Sequence, residues 1–425
     1  MPGKPLHIYC AGSYAPSNYG NQMLTTNFVT YFERLAGVPC SFSLCVVNDE
    51  EQRDMLRQSI PPHIPLTYYH YCAVHSGRSS LLRYPQGAVT FLQEALAPLR
   101  CHADAIAVLG GDCIGEVYGA INGAFWLALL SWMTRYSKVF LLSQTIGPFH
   151  AWRIPWATRV LNRCRIYTRD QWTHDYLKNE LRVTDVQRSC DLAFLELPDQ
   201  EDCEDILVRY GLAHREYFTV VISSLYAHFA DSYDQYLRRW ADILQMLLNM
   251  KSLSDKKMVL LVHAHRLHLT NPCECTEPQV IAEVCETLGP EWMKRTVPVK
   301  DMILPSETRA ILGSGEFTIT GRMHASVSTF QRKVPAIVLS YSPKFRGVVG
   351  DELERNDLII DNPDREFWKS GRIVGAVEEK VTYVLENRAR ICAELESRLP
   401  AIQDKARFQI KDMLRTLRND QDDRE

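Results

Sequence analysis

The chain has no excess of positive charge. Its formal net charge is -3 over 425 residues, so no basic field argues for a nucleic-acid partner. It has no apolar run long enough to span a bilayer: the longest beside a helix, 123–133 with Trp126 and Trp132, falls well short of the ~20 residues a span needs. It has no even cysteine framework. Thirteen cysteines is an odd number, and Cys40, Cys45, Cys101 and Cys164 sit in apolar segments. That pattern predicts reduced core thiols in a cytoplasmic protein rather than disulfides. The opening stretch, Met1 to Cys10, lacks the apolar core of a signal peptide. No repeat of short period and no low-complexity tract precedes the polar C-terminal tail. The dinucleotide fingerprint is missing too, because Gly12 and Gly20 are spaced wrongly for G-x-G-x-x-G. What remains, 46% hydrophobic and 23% charged residues, is the composition of a globular protein of two or three domains.

Apolar runs alternate with segments of helical period. Residues 6–12, 40–47, 66–70, 104–109, 138–142, 165–168 and 183–187 read as strands, and most are apolar throughout, as in a sheet covered on both faces. The acidic, proline-containing stretch 197–205 reads as a connection between domains. Alternation then restarts with strands at 217–223, 257–263, 297–299, 317–320, 336–340 and 358–360. Two helical patterns follow, at 373–396 and 402–417, with mixed charge on their solvated faces. The expected fold is α/β: two doubly wound Rossmann-like domains facing across a cleft. An N-terminal, acceptor-side domain is expected over 1–197 and a linker over 198–215. A C-terminal domain with the donor site and terminal helices follows over 216–417, then a disordered tail over 418–425.

In such sheets ligands bind at the C-terminal strand ends. Five loops fall there: 12–21, 110–115, 143–149, 169–170 and 321–324. Gly321-Arg-Met-His324 joins a strand to a helix. A helix N-terminus favours anions, and Arg322 adds a fixed charge while His324 adds a titratable group. The turn is either an anion-and-proton site or a strand–helix joint with a capping arginine. Gly110-Gly-Asp112 lets backbone approach a ligand closely, and Asp112 either binds a sugar hydroxyl or caps the next helix. Arg169 either pairs with Asp170 or another carboxylate, or reaches a ligand. His263, His265 and His268 with Cys273 and Cys275 invite a zinc reading, but their spacing matches no standard site. Lining of the cleft by one histidine, or ordinary loop chemistry, fits as well.

Taken in order, Asn18-Tyr-Gly-Asn21, Gly110-Gly-Asp112, Ser143-Gln-Thr-Ile-Gly-Pro148, Arg169-Asp170, Asp191-Leu-Ala-Phe194, Gly321-Arg-Met-His324, Val334-Pro335 and Tyr341-Ser-Pro-Lys344 resemble the polysaccharide pyruvyl transferase family. Asn21 and Thr173 depart from the family pattern, which tends to an acidic residue and a serine at those places. The resemblance implies a GT-B-like fold. It also implies transfer of a pyruvyl group from phosphoenolpyruvate to two hydroxyls of a sugar, with a ketal formed and phosphate released. Neither a metal nor a cofactor is implied. The acceptor would be a sugar or oligosaccharide, and lipid-linked acceptors of the family would bring the enzyme to the inner face of a membrane. Arg322, Met323, His324, Lys344 and Arg169 would bind the donor. Asn18, Asn21, Gly111, Asp112 and Gln144 would bind the acceptor. His324 would supply the proton, Asp112 or another cleft carboxylate the base, and Arg169 a further catalytic charge. A GT-B glycosyltransferase using a nucleotide sugar and a non-catalytic glycan-binding member of the family are the competing readings. The oligomeric state is not legible.

Overall fold

The computed structural model describes residues 4–12, 15–47, 49–71, 80–117, 119–265 and 275–422. Thirteen strands form two sheets. The first contains β1 (Leu6–Ala11), β2 (Cys40–Val47), β3 (Leu66–Tyr71), β4 (Ala105–Gly111), β5 (Lys138–Gln144), β6 (Cys164–Thr168) and β7 (Val186–Arg188). Their order is β3-β2-β1-β4-β5-β6-β7, parallel throughout. The second contains β8 (Tyr217–Val221), β9 (Lys257–Leu261), β10 (Thr296–Val299), β11 (Thr318–Thr320), β12 (Ala336–Ser340) and β13 (Ile359–Asp361), in the order β10-β9-β8-β11-β12-β13 and again parallel. Strands such as β8 and β12 are buried at every position, which explains their continuous apolar sequences.

Each sheet has one topological switch point. In the first it lies between β1 and β4, in the second between β8 and β11. The chain leaves all four strands toward the cleft, as the rule for doubly wound folds requires. The domains also share apolar core. Tyr19, Met23 and Phe28 of the first helix belong to the same buried cluster as Met323 and Val327 of the second domain. Backbone hydrogen bonds add to this contact. Tyr19 N donates to His263 O at 3.2 Å, and His265 N donates to Ser17 O at 3.0 Å. Asn18 and Ala264 thereby form an isolated antiparallel bridge between the domains.

The end of the chain differs from the sequence expectation. Two helices were expected, at 373–396 and 402–417, and a proline between them removes a hydrogen-bond donor and crowds the preceding turn. Instead one helix runs from Arg372 to Asp422 with Pro400 inside it. Packing on both sides of the proline holds it together: Leu395, Leu399, Ile402 and Ala406 are all buried. The expected disordered tail is helical as far as Asp422. The second half of this helix packs on the first domain. Asp412 accepts hydrogen bonds from Tyr167 at 2.7 Å and Arg165 at 2.6 Å, and Gln409 accepts one from Ser143 N at 2.9 Å. Among the described residues no helix is long and apolar enough to cross a membrane.

Candidate active site

On the first domain's side, β4 ends in Gly110 and Gly111, with φ of +53° and +106°. Both lie in the region that favours glycine. A Cβ on Gly110 would stand 2.2 Å from the Leu24 side chain, so the close turn also requires its absence. The turn presents Asp112. Gln144, expected at the acceptor, serves this turn instead. Its buried amide donates to the carbonyls of Val108 at 3.0 Å and Gly110 at 3.1 Å, which turns it away from the cleft. Asn18 caps the helix Tyr19–Ala36 by accepting from Gly20 N at 3.1 Å. Asn21, in the first turn of that helix, is half-buried.

Arg169 is not a free cation at a strand end. Its side chain is only 2% exposed and forms an ion pair with Asp191 at 2.9 Å. Its Nε donates to Thr145 Oγ1 at 2.9 Å. This corrects the expectation that Arg169 touches the donor directly: its paired, buried guanidinium supports the carboxylate behind His324. Asp170 has a separate job. It accepts from Thr173 N at 2.7 Å, capping the next helix, and from Thr145 Oγ1 at 2.6 Å.

On the other side, β11 leads through Gly321 and Arg322 into the helix Met323–Gln331. Thr320 Oγ1 accepts from Arg322 N at 2.8 Å and fixes the turn. Arg322 Nε lies 2.5 Å from Glu277 Oε1, and Nη2 donates to Ser224 Oγ at 3.3 Å. Ser224 follows β8, so both strands of the switch point hold this guanidinium. Glu277, fully buried, also accepts from the backbone of His263 at 2.7 Å and Ala264 at 2.8 Å. Met323, expected at the donor, turns its side chain into the apolar core. This corrects the expectation for that side chain.

His324 Nε2 stands 3.4 Å from Asp191 Oδ2. Burial alone would raise the Asp191 carboxyl. His324, Arg169 and the Ala193 N–H outweigh burial and hold it well below the usual carboxylate range. Asp191 therefore stays ionised between His324 and Arg169. The other face of the imidazole lies against Gly20: a Cβ there would sit 2.2 Å from His324 Nδ1. The histidine is thus positioned by the first domain although the second domain carries it.

Lys344 Nζ lies 2.9 Å from Asp112 Oδ2, joining the two sides of the cleft. It also sits over the Tyr341 ring at 5.1 Å. His228 stacks on the same Tyr341 ring, with centroids 4.6 Å apart. Its pKa is lowered by burial first, then by the charges of Lys344 and Arg322. The site thus gathers Asp112 from one domain with Lys344, Arg322, His324 and His228 from the other.

Three members were not singled out as site residues from the sequence. Asp191 was visible as part of a motif, but not as the partner of His324. Glu277 and His228 carry no local signal, because their roles arise only when the domains and loops meet. The histidine cluster resolves into structural contacts. His265 Nε2 lies 3.0 Å from Tyr19 Oη, which accepts from Ile303 N at 2.9 Å. His263 is buried and its pKa is lowered well below the ordinary value, first by burial and then by nearby His324 and Arg322. Among the described residues no group of three His, Cys, Asp or Glu is placed to hold a metal. His268 and Cys273 lie outside the described residues.

Two parallel sheets facing across a cleft, with a helix returning to the first, define a GT-B-like fold. The chain belongs to the polysaccharide pyruvyl transferase family, whose model matches residues 18–343. Similar folds occur in UDP-GlcNAc 2-epimerase from Neisseria meningitidis bound to UDP-GlcNAc, at a TM-score of 0.60 and 9% identity over 97% of this chain and 100% of that one. The UDP-forming alpha,alpha-trehalose-phosphate synthase from Burkholderia xenovorans has a TM-score of 0.57 and 10% identity over 97% of this chain and 100% of that one. UDP-GlcNAc 2-epimerase from Methanocaldococcus jannaschii gives 0.54 and 11% over 87% and 91%. At these identities the likeness is one of fold. No curated protein matches the sequence significantly.

Proposed function

We propose that this enzyme transfers the pyruvyl group of phosphoenolpyruvate to two hydroxyls of a sugar in a glycan, forming a pyruvate ketal and releasing phosphate. The observation that carries the reading is the meeting of Arg322, His324 and Lys344 with Asp112 in one interdomain cleft. A small donor with a phosphate and a carboxylate needs several cations converging on it. Arg322 is held by Glu277 and Ser224, and Lys344 is drawn across the cleft by Asp112.

His324 donates a proton to the donor's methylene carbon, which leaves the adjacent carbon electrophilic. The first sugar hydroxyl attacks that carbon and gives up its proton to a base, for which Asp112 is placed. The bond to phosphate breaks next, and phosphate leaves with a proton. The second hydroxyl then attacks the same carbon and loses its proton, closing the ketal. One proton is taken up at carbon and one by phosphate, matching the two released by the hydroxyls. Asp191 keeps a negative charge behind His324, 3.4 Å from its Nε2, and so holds the ring in place. The reading uses phosphoenolpyruvate as donor substrate and needs no further cofactor.

Purified protein incubated with phosphoenolpyruvate and a panel of galactosides, mannosides and N-acetylhexosamine conjugates should release phosphate. The acceptor should gain the methyl resonance of a ketal by NMR. Binding of UDP-sugars without binding of phosphoenolpyruvate would overturn the reading in favour of a nucleotide-sugar glycosyltransferase.

A further inference from the structure

We infer that Trp152 and Trp172 form an extended binding site for the glycan acceptor, outside the sugar that is modified. This rests on the pyruvyltransferase reading and deepens it. The large apolar side chains Val117, Ile121, Trp152, Trp156 and Trp172 are exposed by 59%, 77%, 69%, 36% and 42%. All five follow the C-terminal ends of β4, β5 and β6. The same three strand ends supply Asp112, Thr145 and Arg169 to the cleft.

The loops form one continuous rim. Glu116 N donates to Pro148 O at 3.1 Å, and buried Arg153 pairs with Glu116 at 2.6 Å and donates to Ala120 O at 2.5 Å. Phe149 N donates to Tyr176 Oη at 2.9 Å, which ties the loop after β5 to the helical segment after β6. The exposed rings are therefore held by backbone-anchored contacts and not by loose surface chain.

Each indole is also backed on one face. The Arg153 guanidinium lies 4.3 Å over the Trp152 ring. Tyr176 stacks on Trp172 with centroids 5.3 Å apart and planes 4° from parallel. A ring supported behind and open in front is a platform for a flat, partly apolar partner, with little ordering left to lose on binding. A sugar ring, with its face of C–H groups, has that chemistry. A membrane surface would favour a lysine- and arginine-rich border. The exposed charges around these helices are mixed, with Asp175 and Glu180 beside Arg159 and Arg163. The observations therefore favour a glycan chain.

The test uses the full-length enzyme with W152A, W172A, the double variant and the conservative W152F and W172F. Monosaccharide and hexasaccharide forms of the accepted sugar serve as acceptors. Each alanine substitution should raise KM for the hexasaccharide by about twofold to tenfold, the range expected of one aromatic contact. KM for the monosaccharide and for phosphoenolpyruvate should stay unchanged, and the phenylalanine variants should recover most of the loss. A hexasaccharide KM in the double variant equal to that of the parent enzyme would overturn the inference. So would loss of binding to phosphatidylcholine–phosphatidylglycerol vesicles with glycan kinetics intact. Quenching of tryptophan fluorescence by galactose, mannose and N-acetylglucosamine hexasaccharides provides a readout independent of turnover. Quenching that W152A and W172A abolish would support the site even if no pyruvyl transfer were found.

Discussion

Lys344 Nζ and Asp112 Oδ2 lie 2.9 Å apart across the interdomain cleft, one on each side of the site. The lysine is the cation a donor carboxylate or phosphate would take, and the aspartate is the group placed to accept a hydroxyl proton. Donor binding should transfer Lys344 from Asp112 to the anion and leave Asp112 available as a base. Asp112→Asn removes the competing charge. It should tighten phosphoenolpyruvate binding by roughly threefold to tenfold while lowering kcat, whereas Lys344→Ala should weaken binding. Isothermal titration against steady-state rates separates the two effects, and weaker donor binding by Asp112→Asn contradicts the exchange.

His324→Ala should lower kcat by ~10²–10⁴-fold, the usual loss for a positioned acid. The side chain is half-buried, and its partner Asp191 keeps the ion pair with Arg169 when the imidazole is removed, so the melting temperature should change little. A folded His324→Ala protein with near-normal turnover would falsify the proton-donor role.

Arg169→Ala should act mainly through stability. It would leave Asp191, fully buried, without the guanidinium that pairs with it at 2.9 Å. Breaking a buried pair from one side costs about 3–5 kcal/mol. Denaturant unfolding should show a loss of this size. An unchanged midpoint with a raised donor KM would restore Arg169 to direct donor contact.

Gly20→Ala should separate stability from activity. A glycine-to-alanine change within a helix stabilises it by up to about 1 kcal/mol. Here the new methyl would stand 2.2 Å from His324 Nδ1 and force the imidazole to move. We expect a melting temperature within a few degrees of the parent and at least a tenfold lower kcat.

Acidification should expose the buried histidine. His263 has a lowered pKa because burial resists its charging. The unfolded chain therefore takes up a proton below about pH 6.5 that the folded chain refuses, so this contribution to stability is present above that pH and lost as pH falls through it. The slope approaches ~1.4 kcal/mol per pH unit for one proton. His263→Phe should flatten the curve between pH 6.5 and 5, as followed by urea unfolding at fixed salt.

The two doubly wound domains were legible because apolar runs and strand-end loops are local patterns. Arg322, His324, Lys344 and Asp112 were candidates for the same reason: each follows a strand. Gln144 was misassigned because a strand-end residue can turn toward the ligand or back to the sheet, and sequence does not distinguish the two. Asp191 meets His324, and Glu277 meets Arg322, only through pairings distant along the chain. The two helical patterns expected at 373–396 and 402–417 form one helix, because packing against both domains holds it through Pro400.

The last helix crosses back to the first domain, so the two halves are not modular along the sequence. A chimera that exchanges the donor half by joining chains near residue 215 would bring a foreign cover for β5 and β6. Asp412 and Gln409, which seal that surface through Tyr167 and Ser143, would be lost with it. A working exchange needs a second junction near Pro400, so that the acceptor half keeps its own lid of helix and only the interior of the chain is replaced.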